Sequence, residues 1–122
     1  MIATAATPDP MIDVLSHLPN LARRWPAGPW VWDLRFNCAI CNCPTDVAEQ
    51  ARGELEAALP DVCDHTSIAS MPDAVRDMVN MTGGLRPGQL VFVGPEGPAG
   101  RPFGLWWPWL DGRTVSIRVG LL

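Results

Sequence analysis

Between residues 30 and 38 apolar side chains fall on every second position. Trp30, Trp32, Leu34, Phe36 and Cys38 alternate with Val31, Asp33, Arg35 and Asn37. That period of two predicts a half-buried strand with Cys38 on its apolar face. The period then lengthens. From residue 46 to 59, Val47, Ala48, Ala51, Leu55, Ala58 and Leu59 recur at helical spacing, with Asp46 and Glu49 placed as a capping box and Pro60 as a stop. Residues 62–69 predict a second strand. Ser70 with Asp73 then opens another helix, whose apolar face is Met71, Ala74, Val75, Met78 and Val79 and whose end is Gly83-Gly84.

The flanks follow the same logic. Asp9-Pro10 is a helix start, followed by Met11, Ile12, Val14, Leu15 and Leu18 on one side and stopped by Pro19, with residues 21–29 as a connector. Three strands are predicted at the other end, over 89–93, 103–110 and 113–121, the last two joined at Asp111-Gly112. A two-residue turn there sets Pro108 opposite Val115, where proline cannot donate a ladder hydrogen bond, so the loop is longer or Pro108 marks a bulge. In that register Trp107 and Trp109 lie on the face opposite Val115. Tryptophans on a second face need a cover, from the N-terminal helix or another subunit.

The fold class expected is therefore α+β: one mixed sheet in the order α-β-α-β-α-β-β-β, with a parallel β-α-β unit and a C-terminal Trp-rich antiparallel hairpin. Residues 1–8 are expected to be a flexible lead and 9–122 a single domain. The chain of 122 residues suits one core, and its 13 prolines and 11 glycines argue against a helical bundle.

Charge narrows the partners. All nine basic residues are arginines, scattered along a chain of net charge −4, so no basic stripe exists for a nucleic-acid backbone. No run approaches the roughly 20 apolar residues of a membrane span, and the N-terminus lacks the pattern of a signal peptide. A cytoplasmic setting is expected, in which cysteines are thiols, metal ligands or redox centres rather than a disulfide framework.

Their spacing is the main chemical signal. Cys38-x-x-Cys41-x-Cys43 runs towards the start of the helix expected at 46–59, where helix dipole and unpaired N–H groups lower a thiol pKa. Cys38, Cys41 and Cys43 are the expected metal ligands, for zinc or iron, with a fourth ligand from another segment or subunit. Cys63 and His65 do not supply it. Across a parallel crossover Cys63 lies roughly 20 to 25 Å from Cys43, too far for one ion.

The order strand, C-x-x-C, helix, strand, helix, hairpin over about residues 30–110 resembles the core of thioredoxin-like domains. Arg86-Pro87-Gly88-Gln89-Leu90-Val91-Phe92 resembles that family's proline before its next strand. The resemblance implies thiol–disulfide oxidoreductase activity by Cys38 and Cys41. The C-x-x-C-x-C spacing is also similar to the metal-binding claw of nitrile hydratase α subunits.

His17 and His65 form no Ser/His/Asp pattern, and the prolines of Gly94–Gly100 remove the amides of a phosphate cradle. Trp106, Trp107 and Trp109 are the other candidate site, an interface, since tryptophan is enriched at binding hot spots. The function expected is a small non-enzymatic accessory or interaction domain, carrying a metal on the cysteine loop and presenting its Trp-rich hairpin to a protein partner or to a second copy. A thioredoxin-like oxidoreductase and an inert structural subunit are the alternatives.

Overall fold

Asp9 accepts the Met11 N–H at 2.9 Å and Pro10 fills the first helical position, which starts α1 (Pro10–Ser16). The computed structural model describes residues 9–122, so the lead expected at 1–8 lies outside the described residues. Pro19 ends nothing more than the first helix. It also opens α2 (Pro19–Arg24), which buries Leu21 and takes up part of the expected connector.

The alternation from Trp30 to Cys38 passes through a turn. β1 (Val31–Asp33) and β2 (Cys38–Pro44) are an antiparallel hairpin, with Val31 opposite Ile40 and Asp33 opposite Cys38. Two local features make the turn. Asp33 Oδ1 accepts the Arg35 N–H at 2.9 Å, and Asn37 adopts φ 51°, a left-handed conformation that Asn tolerates better than most residues. The cysteine segment is thus the second strand of a hairpin rather than a loop.

α3 (Ala48–Ala58) follows without the expected capping box, because Val47 is its N-cap and no side chain bonds there. β3 (Asp61–Cys63) is short, and a turn over 64–67 followed by a 3-10 turn at Ile68–Ser70 takes the place of the rest of the strand expected at 62–69. α4 (Asp73–Met81) closes on Gly83 and Gly84, at φ 103° and 87°, with the Gly84 N–H donating to the Val79 carbonyl at 2.9 Å. β4 (Leu90–Val93), β5 (Pro102–Pro108) and β6 (Thr114–Leu121) complete the chain.

All six strands form one sheet in the order β1-β2-β6-β5-β4-β3, and every neighbouring pair is antiparallel. The expected mixed sheet with a parallel β-α-β unit is therefore corrected, and with it the thioredoxin-like order. β2 and β3 do point the same way. Three strands separate them, because the β4-β5-β6 meander takes the hydrogen-bonding edge of both. α3 consequently crosses the sheet instead of joining neighbours.

Pro108 stays in the ladder, opposite Val115. Trp109 N–H donates to the Thr114 carbonyl at 2.8 Å, which makes 109/114 the hydrogen-bonded pair and 108/115 a non-bonded one. The missing proline N–H would point towards β4, whose pairing with β5 already ends at Trp106.

The two faces are covered unequally. On one, Ala39, Cys41, Cys43, Trp106, Ile117 and Val119 pack beneath residues of α1, α2 and α3, among them Val14, Leu21, Ala51 and Leu55. Gly104 lets α3 approach, since a Cβ there would lie 3.1 Å from Leu59 Cδ1 and 3.4 Å from Leu55 Cδ2. On the other, α4 sets Val75, Met78 and Val79 against Cys63, Val91, Val93, Phe103 and Leu105, which belong to β3, β4 and β5. Among the described residues no helix covers the β6-β2-β1 half of that second face. No helix among them is long and apolar enough to cross a membrane.

Candidate functional site on the open half of the sheet

Strand geometry decides where the cysteines go. Successive side chains of β2 alternate between faces, so Cys41 and Cys43 enter the helix-covered core while Cys38 points to the opposite face. Cys38 and Cys41 are three residues apart, roughly 10 Å in extended chain, beyond disulfide reach. All four cysteines are free and buried. Cys63 lies in β3 at the far edge, four strand spacings or roughly 19 Å from β2. Among the described residues no three His, Cys, Asp or Glu side chains converge to hold a metal ion.

Cys38, Cys43 and Cys63 are also not activated. Burial pushes Cys38 from 9.0 up to about 11, with the Arg118 charge opposing and Asp33 adding to the rise. Burial likewise pushes Cys43 up to about 11, with Cys41 and Asp46 adding to it. The lowering expected from a helix N-terminus is thus reversed, because Cys43 sits inside a strand beneath a helical layer. Cys63 is raised by burial too.

Beside Cys38 the open half carries a stack of alternating rings and guanidinium groups. Arg118 Cζ lies 4.3 Å from the centre of the Trp107 ring and 5.4 Å from that of Phe36, and Arg35 Cζ lies 4.8 Å from Phe36. Phe36 meets Trp107 edge-on at 6.4 Å. Asp33 Oδ2 is 3.5 Å from Arg118 Nε, an ion-pair distance without hydrogen-bond alignment, so Arg118 Nε and Nη1 remain buried with no acceptor among the described residues; Trp107 Nε1 is likewise buried without one. Asp33 therefore serves twice, pairing with Arg118 and shaping the turn that lays Phe36 over it.

A cleft of about 260 Å³ opens between this turn and α4. Phe36, Met78 and Met81 wall it, Cys38, Phe103 and Leu105 floor it, and Arg35 stands on its lip. Gly120 keeps the floor flat, since a Cβ there would come within 2.8 Å of the Phe103 ring and 3.4 Å of Cys38 Cβ. Arg24, Arg52, Arg76, Arg101 and Arg118 each have a carboxylate partner, whereas Arg35 has none among the described residues. Among the described residues, those lining the cleft include no general acid or base beside Cys38. The lining offers apolar contact, with one cation at the edge.

The three tryptophans separate. Trp106 is core, on the helix-covered face and edge-on to Phe92 at 6.5 Å. Trp107 is half-buried in the stack. Trp109 is exposed, and its Nε1 donates to Ser116 Oγ at 2.7 Å, which in turn donates to Asn42 Oδ1 at 2.8 Å. The cover for Trp107 comes from Phe36 and Arg118, not from α1, which packs on the other face.

Sequence reasoning missed Asp33, Arg35, Phe36 and Arg118. The signal was an arginine between Ile117 and Val119, in a position facing the same way as Trp107. Comparison with protein-family models, with curated proteins and with solved structures finds no match.

Proposed function

We propose that this protein is a non-enzymatic interaction domain that docks a protein partner through the open half of its sheet. The observation that carries the reading is an aromatic and methionine-lined cleft on a sheet face that α4 covers only in part. Exposed Val31, Leu34 and Met81 belong to the turn hairpin and helix that border it. Aromatic residues, Met and Arg are the types enriched at protein interfaces, and flexible methionines adapt to a partner's shape. The raised pKa values of Cys38, Cys43 and Cys63, and the lack of an acid/base pair among the described residues lining the cleft, favour binding over catalysis. The cysteines enter this reading as packing residues, because the donors of the expected metal site face opposite sides of β2.

Photo-crosslinking amino acids placed singly at Leu34, Trp109, Ile12 and Val62 in the producing cell test the reading. All four positions are exposed, so the label is tolerated. Adducts with a discrete protein from Leu34 and Trp109, and not from Ile12 or Val62, are expected. Adducts from Ile12 or Val62 alone, or none at any position, overturn it.

A further inference from the structure

The β5–β6 tip carries the chemistry that the cleft lacks. Leu110 is fully exposed at the end of the hairpin, beside exposed Trp109, and Asp111 follows. Asp111 Oδ1 is occupied by the Arg113 and Thr114 N–H groups, but the contact of Oδ2 is a Thr114 hydroxyl at 3.3 Å, which leaves it able to meet a cation. An apolar side chain next to a carboxylate is the complement of an apolar cleft with Arg35 on its lip.

We propose that a second copy of this chain occupies the cleft: Leu110 of one copy enters between α4 and the β1–β2 turn of the next, and Asp111 meets its Arg35. This rests on the reading of the domain as an interaction module and names the partner. The volume fits. A cavity of about 150 Å³ is enough for a benzene ring, so about 260 Å³ takes a leucine side chain and part of its neighbour.

One copy cannot make the contact with itself. From Leu105 in the cleft floor to Leu110 at the tip is five residues, roughly 17 Å of extended chain pointing away from the cleft. The two surfaces are different patches, so a single contact leaves one copy with a spare cleft and the other with a spare tip. The spare pair closes on itself in a two-fold dimer with two reciprocal contacts, or is taken up by further copies in rings or short chains. A single leucine with part of a tryptophan buries a few hundred Å², well under the ~1,200 Å² of stable complexes. Association is therefore weak and grows with concentration.

Sedimentation velocity on the full chain, up to about 1 mM as a contact this small requires, tests the proposal. The wild type is expected to associate into dimers or larger species as concentration rises. Leu110→Ser removes the tip and Met81→Glu blocks the cleft lip. Both residues are more than four-fifths exposed, so neither change disturbs folding. Each variant alone is expected to be monomeric, its affinity lowered at least tenfold. An equimolar mixture is expected to form a dimer and stop there, because Leu110→Ser retains a cleft and Met81→Glu a tip. A monomeric wild type, assembly by either variant alone, or a mixture that stays monomeric overturns the proposal. A monomeric wild type whose Leu34 still crosslinks to a different protein refutes self-assembly while sparing the interaction reading.

Discussion

Asp33→Asn separates the ion pair from the turn it shapes. The amide that replaces the carboxylate retains an oxygen to accept the Arg35 N–H, so the turn survives, while Arg118 loses its counter-charge. At 3.5 Å and an effective dielectric constant near 20, the raw attraction is about 5 kcal/mol. Desolvation of two side chains that keep 12% and 18% of their exposure offsets most of it. Breaking a fully buried pair costs about 3–5 kcal/mol; residual solvent access and the Trp107 and Phe36 rings reduce this to about 1–3 kcal/mol. Arg118→Met behaves differently. It keeps an unbranched chain between the two rings and removes the unsatisfied Nε and Nη1 donors, so its cost stays within about 1 kcal/mol.

The double variant then recovers most of the loss caused by Asp33→Asn, because no buried cation is left without a partner. Urea unfolding followed by tryptophan fluorescence and far-UV circular dichroism measures all three, with coincident transitions as the check on two-state behaviour. A neutral Asp33→Asn together with an Arg118→Met costing more than about 3 kcal/mol would refute the reasoning. Arg118 would then be held by the Trp107 and Phe36 rings, with Asp33 a bystander.

Two further outcomes follow from packing and burial. Gly120→Ala is expected to cost about 1–3 kcal/mol by overpacking, since its Cβ would lie 2.8 Å from the Phe103 ring; Phe103→Leu in the same chain should restore part of it, and urea midpoints that add without recovery would exclude the clash. Cys38 and Cys43 keep their protons up to about pH 11 when folded, whereas an unfolded thiol ionises near 9.0. Above pH 9 the unfolded state therefore binds fewer protons than the native state, and stability, level below pH 9, falls between 9 and 11. Urea midpoints measured from pH 7 to 10.5 in a Cys38→Ala, Cys43→Ala variant should lose that part of the decline; an identical slope in both proteins would show that the thiols carry none of it.

α1, α4 and the C-terminal strands were legible because each carries its own punctuation. Asp9-Pro10 does start α1, Gly83-Gly84 does close α4, and the Asp111-Gly112 region does join two strands in the register that puts Trp107 opposite the face of Val115. The turn at Leu34–Asn37 was not legible. Apolar residues at Trp30, Trp32, Leu34, Phe36 and Cys38 keep a period of two straight through it, and neither glycine nor proline marks it. An Asx bond from Asp33 and a left-handed Asn37 are weak signals next to five alternating apolar residues. Missing that turn turned the cysteine segment into a loop, and a strand–loop–helix–strand run reads as a parallel crossover. Strand order is set by long-range pairing, here β2 with β6 across roughly 70 residues of chain, which no local pattern encodes.

The same turn explains why the cysteine spacing points to chemistry that the fold does not assemble. In a loop, positions 38, 41 and 43 can all face one point. In a strand, an odd interval such as 38 to 41 sends its ends to opposite faces, and only the even interval from 41 to 43 keeps them together. Cys41 and Cys43 are then small apolar residues where α1 and α3 press on the sheet, and Cys38 is a small residue beside Gly120, where Phe103 needs room. Folding the turn over the second face has the opposite effect on Arg35 and Phe36, which a continuous strand would have set on opposite sides of the sheet. It stacks them on one another, lays Phe36 against Arg118 and raises one wall of the cleft. A substitution that extends β1 through the turn, such as Asn37→Val, would therefore remove the cleft while leaving the cysteine core intact, and Met78 and Met81 methyl resonances would report the loss.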